Sequence, residues 1–296
     1  MGTSSSNGGQ KPNTPLLPSW ADSGPMPEGN PPLPPQALPQ EPPQVLPQAP
    51  SQDLPQPAPQ ETSQPPREPL KIPPDRFRNA RSNFSRYVSS GGTDKRSLGR
   101  ALGHYVRTSS GGTKTAARRM WASRIATVNL INVLNDFHSL GIESTLSKIS
   151  FPSLAGKPPK EILLALTDVI CRPESSLDPS IARESFVETI VYLPDVDLTN
   201  LTEEQIKVIT IQFISRTIVT RIINDIGHKI DANITAEKAH FLMKSLNDFV
   251  YGAIKDRLTA LLVISSEVSR QDLAVSISNI YEVAYSLIEG EAGVYE

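Results

Sequence analysis

From residue 75 onward, apolar positions recur every three or four residues; before it they follow no period. Asp75-Arg-Phe-Arg predicts a helix start with Asp75 as its N-cap, and Phe77, Phe84 and Val88 fall on one face. Ser89-Ser-Gly-Gly-Thr93 should end that helix, and Asp94 should cap the next. There Leu98, Ala101, Leu102, Tyr105 and Val106 form an apolar stripe. A second Ser-Ser-Gly-Gly-Thr ends this unit at Thr113. The segments Tyr87-Val…Gly-Gly-Thr and Tyr105-Val…Gly-Gly-Thr thus form an imperfect tandem repeat.

A third helix is expected from Thr113 to about Leu140, buried over Val128 to Leu134, with Gly141 as the C′ residue. Pro158-Pro159 opens a helix ending near Cys171, and Asp178-Pro179 opens another that stops before Pro194. Thr202-Glu-Glu-Gln205 reads as a capping box, with Leu201 and Ile206 as a hydrophobic staple. The helix that follows, to about Ile226, is apolar on most faces and is the expected centre of the fold. Thr235 and Ser269 start the last two helices. No segment reads as a strand. The expected fold class is all-α: a multi-helix domain preceded by a long disordered Pro/Gln-rich N-terminal arm.

Composition sharpens the division. Of the 28 prolines, 22 precede residue 76. Residues 31–69 are Pro-Gln units that favour extended polyproline II and cannot build a core. At about 3.1 Å per residue the tract spans on the order of 100 Å when extended. Charge divides the remainder. Residues 76–124 hold twelve Lys or Arg and one acid, Asp94, whereas residues 125–296 hold 14 basic and 23 acidic groups. Three parts follow: an arm over 1–75, a basic helical segment over 76–124 and an acidic helical domain over 125–296. The basic block, Arg76, Arg78, Arg81, Arg86, Arg96, Arg100, Arg107, Lys114, Arg118, Arg119 and Arg124, suits nucleic-acid phosphates or an acidic protein surface, the chain's own body included. Phe77, Phe84, Tyr87, Tyr105 and Trp121 interleave with it. Their apolar stripes place them in the core rather than against bases.

Candidate chemistry is sparse. No phosphate-binding glycine loop, nucleophile elbow or metalloprotease motif occurs. His104, His138, His228 and His240 are not spaced as metal ligands, so no metal and no cofactor is expected. Cys171 is the sole cysteine, which excludes an internal disulfide and suits a reducing, cytoplasmic location. No apolar run is long enough for a membrane span, and the first fifteen residues lack a secretory apolar core. These readings point away from an enzyme.

The N-terminus is more informative. Met1-Gly2 favours removal of Met1, which leaves an unhindered α-amine on Gly2. An α-amine titrates near ~7.7–8.0 and a lysine near ~10.4, so at neutral pH a far larger share of the α-amine is an uncharged nucleophile. The same start fits the loose myristoylation pattern, but without a neighbouring basic group one acyl chain anchors only marginally. Leu16, Leu17 and Trp20 are large apolar groups with no local core, as a docking hook would be.

The start Met1-Gly-Thr-Ser, the element Pro15-Leu-Leu-Pro-Ser-Trp-Ala-Asp22, the proline-rich spacer and the block from Arg76-Phe-Arg through Leu98-Gly-Arg-Ala-Leu-Gly-His-Tyr-Val-Arg107 to Ala116-Ala-Arg-Arg-Met120 together resemble the QatB family. These are associated proteins of the bacterial Qat anti-phage defence system. The resemblance covers about residues 1–22 and 76–120 and extends to no motif beyond 125. It implies an ATPase, a QueC-like enzyme and a TatD-like nuclease as partners. QueC-like enzymes activate a deazaguanine carboxylate with ATP, and an activated carboxylate can be attacked by a protein amine. The resemblance therefore implies a non-catalytic adaptor whose Gly2 is presented to the QueC-like enzyme, with Leu16, Leu17 and Trp20 docking there. A nucleic-acid-binding protein using residues 76–124 is the alternative.

Overall fold

A computed structural model describes residues 75–171, 177–194, 196–227, 234–263 and 268–294. Gly2, Leu16, Leu17, Trp20 and the Pro-Gln tract lie outside the described residues, as does His228. The described residues are all-helical, with no strand among them, as the apolar periodicity requires.

Eleven α-helices occur among the described residues: α1 (Arg78–Ser89), α2 (Lys95–His104), α3 (Thr113–Arg118), α4 (Trp121–Leu140), α5 (Ile142–Lys148), α6 (Pro159–Ala165), α7 (Thr167–Ile170), α8 (Leu177–Val191), α9 (Glu203–Ile226), α10 (Ala236–Leu261) and α11 (Arg270–Gly293). Helix α9 is central and packs on α4, α8 and α10; α11 packs on α2, α3, α4 and α10. The near-continuous apolar character of α9 follows from that position, because neighbours cover most of its faces. Phe213 on α9 meets Phe186 on α8 edge-to-face at 6.1 Å. The Tyr281 hydroxyl on α11 lies 3.2 Å from Thr127 Oγ1 on α4 and 2.9 Å from Thr217 Oγ1 on α9. One buried phenol thus joins three core helices, and burial pushes its pKa up to about 12.

Local signals set most helix ends. Asp94 accepts from the Ser97 amide at 2.9 Å. Thr202 and Gln205 form the reciprocal capping box, and Leu201 and Ile206 are buried beside it. Thr235 and Ser269 cap α10 and α11. Gly91, Gly92, Gly111 and Gly112 all have positive φ, so both Gly-Gly pairs are helix stops. The second repeat has two extra residues, Arg107 and Thr108, before its Ser-Ser. Residues Tyr105–Ser109 absorb them by winding as a π-turn, in which the Ser110 amide reaches the Tyr105 carbonyl at 2.8 Å. Tyr87 and Tyr105 therefore both reach the core.

Three expected helix boundaries are corrected. Helix α1 begins at Arg78, because Asp75 takes part in a preceding turn through its carbonyl, which accepts from the Arg78 amide at 2.9 Å. The helix expected from Thr113 to Leu140 is broken at Arg119-Met120, where Arg119 turns to an acidic partner and Met120 enters the core. The helix after Pro158 is broken at Leu166, which is fully buried between α6 and α7.

Candidate functional site

One carboxylate gathers several of the ties between the basic segment and the rest of the helical unit. Asp225 lies in the last turn of α9, where the helix dipole disfavours a negative side chain. Its Oδ2 accepts from the Tyr105 hydroxyl at 2.9 Å and from Arg119 at 2.8 Å, and Arg221 Nε lies 3.5 Å away. Arg221 also pairs with Asp178 on α8. Burial works to lower the Arg221 pKa, and Asp225 and Asp178 together overcome it, so that it is raised. Burial, followed by the Asp225 charge, raises Tyr105. Arg81 caps the same helix end: its Nε and a terminal nitrogen donate to the Asp225 main-chain carbonyl at 3.1 and 2.9 Å.

Phe77 stacks on Tyr105 with 5.9 Å between centroids, and the guanidiniums of Arg76, Arg81 and Arg119 lie 4.6, 5.4 and 5.6 Å from its ring. Farther along, Arg107 pairs with Glu289 at 2.9 Å near the C-terminal end of α11. Arg124 donates to Ser278 on the same helix. Two core helices therefore receive arginines at or near their negative ends.

The sequence-expected cations divide accordingly. Arg81, Arg107, Arg119 and Arg124 bond to α9 or α11, and Arg76 lies over Phe77. Arg78, Arg86, Arg96, Lys114 and Arg118 are exposed, and Arg100 is half-buried. Phe77, Phe84, Tyr87 and Tyr105 are core residues as expected. Trp121 is a correction: it is 47% exposed. The break at Arg119-Met120 gives the core position to Met120 and turns the indole outward. Asp225 itself was missed. Its signal was the i,i+4 charged pair Arg221 and Asp225 in a helix that is apolar on most faces.

No group of three or more His, Cys, Asp or Glu side chains that could hold a metal ion occurs among the described residues. Cys171 is buried, and burial pushes its thiol up to about 12, so it is held as the neutral thiol. His138 Nδ1 on α4 lies 2.6 Å from the carbonyl of Leu201, in the link that precedes α9. No helix among the described residues is long and apolar enough to cross a membrane.

The family described as Qat anti-phage system associated protein QatB matches residues 111–288, more than half of the chain. The chain belongs to the QatB family. As a QatB-family member it is a component of the Qat anti-phage defence system, and the other proteins of that system are its implied partners. No curated protein and no solved structure matches it. The QatB match runs from the second Gly-Gly stop to near the end of α11, through the acidic helices where the motifs in the sequence had fallen silent. Asp225, Arg119, Trp121 and Cys171 all lie within it.

Proposed function

We propose that this QatB-family protein is a non-catalytic adaptor of its defence system, with a helical body that assembles with companion proteins and an arm that presents Gly2 to a QueC-like enzyme. The observation that carries the adaptor reading is the inward use of the basic segment. Arg81, Arg107, Arg119 and Arg124 bond to α9 and α11 rather than standing free for phosphates. Four of the cations that suggested nucleic acid thus serve as ties between the basic segment and the acidic body. The ATPase and the TatD-like nuclease of the system are the other companions of this reading.

The Gly2 part rests on the sequence. Once Met1 is removed, the α-amine would attack a carboxylate that the QueC-like enzyme has activated with ATP. An amide forms, the activating group departs and the amine loses its proton. Nucleophilicity alone does not select one amine among the chain's lysines. A nearby anchor does, because it makes the encounter effectively intramolecular. Leu16, Leu17 and Trp20 are the proposed anchor. Buried aromatic anchors commonly cost ~2 kcal/mol or more on truncation, about thirtyfold in affinity. Trp20→Ala should therefore weaken binding to the QueC-like enzyme and lower modification of Gly2, with the helical unit intact by circular dichroism. Unchanged binding and unchanged modification would remove the hook from the account.

A further inference from the structure

Helix α4 carries a trough along one side. At its N-terminal end a hollow of about 600 Å³ lies between α4 and the first half of α11, lined by Trp121, Arg124, Ile125 and Val128 from one helix and Arg270 and Val275 from the other. A second hollow of about 370 Å³ continues past Arg270 to Asn132 and Asp136. The two share Arg270, and their α4 residues follow a single three-and-four spacing from Trp121 to Asp136. That stripe is about 22 Å long at roughly 1.5 Å per residue, which is about four helical turns.

The chemistry of the trough is uneven. The end at Trp121 is apolar and open: the indole is 47% exposed and Val275 58%. That end also holds two guanidiniums without an acidic partner among the described residues. The ion pairs among the described residues involve other cations. Arg124 is oriented by the Ser278 hydroxyl, and its Nε is buried with no hydrogen-bond partner. Arg270 is oriented by the Asn129 side chain, which in turn donates to the Ile170 carbonyl at 3.0 Å. A neutral partner positions each guanidinium without neutralising it. The far end is already balanced, because Asp136 pairs with Lys148 at 2.8 Å.

We infer that this trough is the docking groove for an acidic amphipathic helix of another protein of the same defence system. The inference rests on the assembly part of the proposed function and names the surface used. Charge complementarity selects the occupant. A helix of about four turns fills the length, and its apolar stripe covers Trp121, Ile125 and Val275. A carboxylate near one end of that stripe takes the planar, bidentate donors of Arg124 and Arg270. The aromatic and the arginines sit together at the centre of the apolar end, where binding energy concentrates in protein interfaces.

The test uses the full chain expressed with its operon neighbours, with Val275 replaced by photoreactive p-benzoylphenylalanine. Illumination should link position 275 to another protein of the system, at a helical segment carrying Asp or Glu beside large apolar residues. Arg270→Glu, at an exposed position, should lower the crosslink yield by about tenfold or more. As a second surface change, Val275→Asp in the unlabelled chain should reduce co-purification without altering the circular dichroism spectrum. Companions that co-purify without crosslinking at 275, a crosslink to a second copy or to nucleic acid, or a yield insensitive to Arg270→Glu would overturn the groove and leave assembly standing. Failure of any companion to co-purify would overturn both.

Discussion

Asp225→Ala removes the carboxylate that joins the repeat helices to α9, and the structure sets the size of the loss. The side chain is 11% exposed and accepts from Tyr105 and Arg119. Hydrogen bonds to charged groups contribute about 1.5–3 kcal/mol each, and removing one partner of a buried ion pair costs about 3–5 kcal/mol. Two features reduce the loss. Arg221 keeps Asp178 and Arg119 keeps the Phe77 ring, so neither cation is stranded. Removing a negative charge from a helix C-terminus also returns about 0.3–1 kcal/mol. The expected destabilisation is about 3 kcal/mol, measured by urea unfolding followed by circular dichroism on the full chain. Arg119→Met should be non-additive with it, with a coupling of about 1 kcal/mol or more. Trypsin should also cut the native variant faster between Arg76 and Arg119, because the repeat helices lose their main tie. A loss below about 1 kcal/mol together with strict additivity would refute the hub.

Two further outcomes follow from the same contacts. The Asp94 pKa is lowered, first by its hydrogen bond with the Ser97 side chain and then by the Ser97 amide. Its stabilisation is present above the ordinary carboxylate value of 3.8 and is lost as pH falls through the depressed folded value. The stability difference between the natural chain and Asp94→Asn should therefore shrink in acid and stay level at neutral pH; a difference that grows in acid would contradict the cap. Binding to DNA or RNA should be weak and should vanish near physiological salt, because Arg81, Arg107, Arg119 and Arg124 already bond to α9 or α11 and the exposed cations that remain make only salt-screened phosphate contacts. A tight, salt-resistant complex abolished by reversing Arg96 and Arg100 would instead make this a nucleic-acid-binding protein.

Much of the fold was legible because its signals are local. The caps at Asp94, Thr202, Thr235 and Ser269 depend on side chains a few residues from the amides they satisfy. The Gly-Gly stops depend on backbone conformation alone. The errors fall where distant residues decide. No local residue type marks a break at Arg119-Met120; it follows from Asp225, 106 residues away, and from the core seat that Met120 takes. Trp121 was misplaced for the same reason, since a continuous helix would have carried the indole inward. The basic block was visible as charge, but its division between internal caps and free surface depends on which helices end beside it. Arg270 and Val275, which line the trough, gave no separate signal, because a groove exists only once α4 and α11 are packed.

We propose that the arm delivers a reactive N-terminal amine to a partner enzyme. Mass spectrometry of the N-terminal peptide, from protein purified with and without its operon neighbours, decides whether it does. Loss of Met1 is expected in both samples and, only with the neighbours present, an added mass of a deazaguanine acyl group on the Gly2 amine. Retained Met1, an unmodified Gly2 in the functional operon, or an added mass confined to lysines would contradict it.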